Sequence, residues 1–145
     1  MAKGEFMRAR RWLAITIVAG VGLSAPLAAQ DGPQPGAVSM RYFECGLGDL
    51  GDAVQLLNEE WRPVAQELVD EGVLISYGIL THGWGDEWNL IDYYVATDTQ
   101  AFHAAWAELV QRVQARDPNG NMFEEFAELC PRHKDNIYGV VPPAQ

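Results

Sequence analysis

The chain has 145 residues, two cysteines, and ten Lys+Arg against twenty Asp+Glu, a net charge of −10. That acidity excludes nucleic acid as a natural partner, because phosphate binding needs clustered Lys and Arg, and it disfavours an anionic membrane surface for the same reason. The length suits one domain rather than several.

The first 29 residues carry the three-part pattern of a secretory leader. Lys3, Arg8, Arg10 and Arg11 form a positive start, Trp12 to Leu23 is apolar and uncharged, and Ser24 to Ala29 supplies small residues ahead of a cut. The competing reading is an uncleaved membrane anchor, since the stretch from Trp12 to Ala29 lies at the lower edge of bilayer-spanning length. No cysteine stands at the cut, which argues against a lipoprotein. Removing the leader leaves 6 Lys+Arg against 19 Asp+Glu, a net charge of about −13. The expected product is exported, periplasmic or secreted, without stable membrane association once the leader is gone. Cys45 and Cys130 then sit where disulfides persist.

Residues 30–38, QDGPQPGAV, read as a flexible tether, and 39–145 as the domain. Ser39 to Cys45 is a short strand. Its alternation puts Met40, Tyr42 and Glu44 on one face and Arg41, Phe43 and Cys45 on the other. After a glycine-rich loop, Asp52 is the expected cap of a helix with apolar positions at Val54, Leu57, Trp61, Val64, Ala65 and Leu68. Pro63 should kink or divide that helix, and Gly72 should end it. Val73 to His82 and Trp88 to Thr97 are the arms of a β-hairpin. In the second arm, Ile91, Tyr93 and Val95 oppose Trp88, Leu90, Asp92 and Tyr94. Thr97-Asp98-Thr99 starts a second long helix with Phe102, Ala105, Trp106, Leu109, Val110 and Val113 as its stripe, and Asp117-Pro118-Asn119-Gly120 stops it. Asn121 and Glu124 form a capping-box-like pair for a shorter helix. Asp135 to Val141 is the fourth strand.

The order β-α-β-β-α-α-β is the ferredoxin-like α+β pattern, a four-stranded antiparallel sheet with helices on one face. In its usual strand order, 4-1-3-2, the end of the first strand meets the start of the fourth. Cys45 and Cys130 then come within bonding range, and a bridge is expected; two separate buried thiols are the alternative. The sheet face without helices is expected to carry Tyr42, Leu74, Leu80, Leu90, Tyr94, Tyr138 and Val140. So much apolar area calls for a second copy, giving a homodimer. A gap at Gly78, ringed by Ser76, Glu44 and Asp92, would make a mostly apolar cavity between the two sheets.

On these residues the chain resembles the dimeric α/β-barrel superfamily. The likeness rests on the element order and on EEWRPVAQELVDEGVLISYGIL (59–80) leading into YYVATD (93–98), and covers roughly residues 38–141. That superfamily includes antibiotic-biosynthesis-type and haem-degrading monooxygenases, chlorite-dismutase-like proteins, and EthD-like and NIPSNAP-like domains. The chain looks most like small exported bacterial members without an assigned activity. The resemblance implies a dimer whose open sheet faces pack together. The Asn, His and Trp set of haem-degrading members has the right residue types in Asn58, His103 and Trp106, but these do not match that motif position by position.

Several residue groups carry chemistry. His82, Asp86 and Glu87 are metal-ligand types in a spacing that matches no metal motif, so the stretch reads as a polar hairpin loop and no metal is expected. His103 is a general base or haem ligand by type and a boundary histidine by frequency. Glu44 and Asp92 are expected as neighbours, either sharing a proton for acid–base work or hydrogen-bonded to tyrosine. There is no glycine-rich phosphate loop, no GxSxG and no CxxC. The leading reading is an exported domain binding a small apolar or aromatic molecule through Tyr42, Glu44, His82, Asp92, Tyr94 and Tyr138, without a cofactor. A second is a cofactor-free or haem-dependent oxygenase with Asp92 or His103 as base. A third is a dimeric interaction module with a filled interface.

Overall fold

The computed structural model describes residues 33–82, 84–85 and 87–141. The expected leader and the candidate ligand Asp86 lie outside the described residues. The elements are β1 (Ala37–Glu44), α1 (Leu50–Leu56), a π-helical turn (Leu57–Trp61), α2 (Arg62–Asp70), β2 (Ser76–Thr81), β3 (Leu90–Ala96), α3 (Thr99–Arg116), α4 (Asn121–Leu129) and β4 (Arg132–Gly139). The sheet runs β2-β3-β1-β4 with every pair antiparallel. This is the ferredoxin-like arrangement expected from the element order, with helices on one face.

Local chemistry sets these boundaries. Pro63 has no N–H to donate and would clash with the carbonyl of Glu59 in a straight helix. The chain answers with the π turn, which places Pro63 in the first turn of α2, where an N–H is needed least. The turn keeps Leu57 and Trp61 both buried. Gly72, at φ 75°, ends α2, and the Val73 N–H returns to the Leu68 carbonyl at 2.8 Å. The α1 cap position is Asp49 rather than the expected Asp52, which instead supplies an acid to the first turn. Asp98 caps α3 by accepting from the Ala101 N–H at 2.8 Å. Asn121 is the first helical residue of α4 rather than its cap; Asp117 takes the capping role by accepting from the Met122 N–H at 2.7 Å. β4 begins at Arg132, three residues before the expected Asp135. Edge strands tolerate the polar run Arg-His-Lys-Asp that hides it in the sequence.

The core lies between the sheet and the helices. Leu57, Trp61, Val64 and Leu68 meet Leu109 and Val113 of α3 and Phe43 and Leu90 of the sheet. Cys45 and Cys130 are bonded across the β1 and β4 ends, 85 residues apart. Among the described residues no helix is long and apolar enough to cross a membrane.

The assignment of faces departs from expectation in β3. Leu90, Asp92 and Tyr94 lie under the helices, as does Leu74, and all four are buried. The register explains it: β1 opposes β3 with Arg41 against Asp92 and Phe43 against Leu90, so the even-numbered β3 residues follow Phe43 into the core. The uncovered face instead carries Val38, Met40 and Tyr42 of β1, Ile91, Tyr93 and Val95 of β3, Leu80 of β2 and Tyr138 of β4. It stays strongly apolar with different members. The gap expected at Gly78 is filled: a Cβ there would lie 2.5 Å from the Tyr93 ring.

Candidate functional site

The helix-covered face holds a charged centre. Arg41 is the basic residue on the inward side of β1, and Asp92 stands opposite it on β3. The Arg41 Nε donates to Asp92 Oδ1 at 2.8 Å, and its Nη2 pairs with Oδ2. The Tyr94 hydroxyl donates to Asp92 Oδ2 at 2.9 Å and accepts from the Trp61 Nε1–H at 2.5 Å. Nη2 of Arg41 also reaches the Tyr94 hydroxyl at 3.4 Å. Asp92 is only 2% exposed, so this is a buried ion pair whose strength depends on complete hydrogen bonding.

Aromatic rings enclose the cation. The guanidinium carbon lies 4.6 Å from the ring centres of both Trp61 and Trp106, with Phe43 at 5.3 Å and Tyr94 at 5.7 Å. Cation–π attraction strengthens when water is excluded. Burial works most strongly against the Arg41 charge, but Asp92, Tyr94 and Asp135 together outweigh it and raise the guanidinium above its ordinary value. Burial, reinforced by Asp92, pushes the Tyr94 hydroxyl well above the usual phenol range. Tyr94 is therefore a fixed proton donor and Arg41 a fixed cation.

Two cavities border this centre. The larger, about 410 Å³, lies beneath α4 and β4, against Arg41, Phe43, Trp61, Phe123, Phe126 and His133. The smaller, about 180 Å³, is bounded by Arg41, Phe102, His103, Trp106, Asp135 and Ile137. Arg41, Trp106 and Asp135 line both. The larger cavity has the size and lining of a small-molecule site: mostly apolar walls with few polar groups.

The residues named from sequence fall into separate places. Asp92 and Tyr94 belong to the buried centre, on the opposite sheet face from Glu44, so the expected Glu44–Asp92 pair does not form. Glu44 instead forms an ion pair with Arg132 at 2.5 Å. Both Asp92 oxygens are engaged by Arg41 and Tyr94, so Asp92 itself is not free to act as a general base. Tyr42 and Tyr138 sit together on the uncovered face, hydroxyls 3.3 Å apart, with the Lys134 amine 5.0 Å from the Tyr42 ring. His82 borders a surface hollow with Glu44, Trp84, Glu87 and Asn89, and no three-ligand metal cluster occurs among the described residues. His103 edges the smaller cavity. Asn58 is exposed, bonded to Arg62 at 3.2 Å, and lines neither cavity. The Asn–His–Trp set is therefore not assembled, and no haem step is derived. Sequence reading missed Arg41, Trp61 and Trp106 as a unit. The available signal was one Arg on the inward side of a strand, which demands a buried acid nearby.

No family model matches the sequence, and no curated protein matches it. Solved structures share the fold. One is a dimeric ferredoxin-like protein from an uncultured marine organism, with 11% identity, 78% of this chain and 94% of that chain covered, and a TM-score of 0.60. Another is a NIPSNAP family protein from Agrobacterium tumefaciens, with 18% identity, 72% and 85% covered, and a TM-score of 0.55. A third is a candidate antibiotic biosynthesis monooxygenase from Nitrosomonas europaea, with 14% identity, 73% and 99% covered, and a TM-score of 0.51. The fold is the one named in the sequence resemblance; at these identities the likeness is one of fold alone.

Proposed function

We propose that the chain is an exported, homodimeric binding protein whose helix-side cavity takes a small apolar or aromatic molecule. The observation that carries the reading is the 410 Å³ cavity floored by Arg41 in its aromatic enclosure. This moves the site from the space between two sheets to the space between sheet and helices. Export is supported by the leader pattern of residues 1–29 and accords with the Cys45–Cys130 bridge. The homodimer is supported by the uncovered face, where Leu80 and Tyr138 are 47% and 45% exposed amid other apolar residues, and by structures of this fold described as dimeric. Tyr42 and Tyr138 then belong to the dimer interface, and Asp92 and Tyr94 serve the site by holding Arg41.

Ala127 of α4 is exposed and lines the cavity, so a large side chain there would fill the space without disturbing the core. Calorimetric titration of the exported protein with 2-acetylnaphthalene is expected to show saturable binding with Kd on the order of 10–100 μM, in keeping with its size. Ala127→Trp should abolish that binding while thermal stability stays within about 2 °C, as for other exposed substitutions. No binding by the original chain, or equal affinity in the variant, would remove the cavity from the account.

A further inference from the structure

We infer that the helix-side cavity selects neutral aromatic carbonyl compounds over aromatic carboxylates, because the cation at its floor is already neutralised within the protein. The inference rests on the binding role proposed above and specifies the chemistry of the guest.

A guanidinium offers five N–H donors. In Arg41, Nε donates to Asp92, and Nη2 serves Asp92 and the Tyr94 hydroxyl. The two Nη1 donors have no hydrogen-bond partner among the described residues, and Arg41 borders both cavities. Trp61 and Trp106 occupy positions around the guanidinium carbon at 4.6 Å, which confines approach by a guest to what the rings leave open. A single acceptor oxygen in plane with Nη1 accepts from one of these donors, and a flat aromatic body fits the walls formed by Phe43, Phe123 and Phe126.

Charge decides which acceptor. The Arg41 charge is balanced by Asp92, in a two-bond pair that a guest would have to break to claim the whole cation. Asp135 stands directly across from Arg41 on β4 and lines both cavities, adding a negative charge at the mouth. An entering carboxylate would lose its water, gain no net counter-charge and face Asp135. A ketone accepts the same hydrogen bond without that penalty. The cavity thus treats Arg41 as a dipole rather than as a point charge.

The test is a matched pair of probes, 2-acetylnaphthalene and 2-naphthoate, titrated at pH 8 against the exported disulfide-bonded protein. The ketone is expected to bind roughly tenfold or more tightly than the carboxylate, a gap set by uncompensated charge burial. Asp135 is exposed on an edge strand, so Asp135→Asn should keep the fold. That variant should tighten naphthoate binding relative to the ketone, narrowing the gap between the two probes several-fold, on the order expected for removing one nearby like charge. Naphthoate binding as well as the ketone would overturn this inference and leave the binding role standing, as would an Asp135→Asn variant that shifts both probes equally. Failure of both probes to bind would overturn the inference together with the binding role.

Discussion

Asp92→Ala is expected to lose about 3–5 kcal/mol of folding stability, because it strands a buried guanidinium without its counter-charge. For a domain near one hundred residues this corresponds to a fall in Tm on the order of 15 °C. Asp92 receives Arg41 and Tyr94 together, so one substitution leaves both of these donors short of a partner, while the Trp61 indole keeps the Tyr94 hydroxyl at 2.5 Å. The double variant Arg41→Met with Asp92→Leu removes both charges and should recover much of the loss, since apolar replacements of a buried pair are often neutral or stabilising. Urea unfolding of the two variants beside the original chain checks both statements. A loss below about 1 kcal/mol for Asp92→Ala would place the pair in the class of solvated surface bridges and remove the reason for treating Arg41 as a fixed cation.

Reduction of Cys45–Cys130, or Cys45→Ser with Cys130→Ser, is expected to cost about 4 kcal/mol in the chain-entropy description of a loop of this length. The sequence separation of 85 residues makes the loop span most of the domain. The native ends should stay in place without the bond. Asn89 clamps Cys45 by accepting from its N–H at 2.9 Å and donating to its carbonyl at 2.8 Å, and the Gly46 N–H reaches the Leu129 carbonyl at 3.1 Å. Glu44 also pairs with Arg132 next to the bridge. The reduced protein should therefore fold to the same structure and unfold at markedly lower denaturant. Equal midpoints with and without reductant would show that the bridge constrains nothing in the unfolded chain, and an intact mass carrying two free thiols would show that it does not form.

The contrast between what the sequence disclosed and what it concealed follows from period and pairing. Element order, the hairpin at Val73–Thr97, the Gly72 stop and the cysteine pairing were legible because each rests on a strong local signal or on strand order. The facing of β3 was not. Leu90, Ile91, Tyr93, Tyr94 and Val95 make both sides of that strand apolar, so alternation cannot say which side is covered. The one acid, Asp92, pointed toward a polar rim when read alone. Read against β1, it answers Arg41, which alternation had already placed beside Phe43; register supplies what period lacks. The cavity was hidden for a related reason. Its walls come from α4, β4 and the π turn, and neither the turn nor the early start of β4 has a signature stronger than Pro63 and an edge-strand polar run.

The proposed working surface lies on the helix side of the sheet, against Arg41. The indole N–H resonances of the 15N-labelled, disulfide-bonded domain, residues 30–145, can be followed during titration with 2-acetylnaphthalene. Trp61 and Trp106 flank Arg41, whereas Trp88 lies 4.4 Å from the Lys134 amine, toward the uncovered face, and Trp84 is 96% exposed. Saturable shifts are expected at Trp61 and Trp106, with Trp84 and Trp88 unmoved. Shifts confined to Trp88 would return the guest to the face between two sheets and contradict the site described.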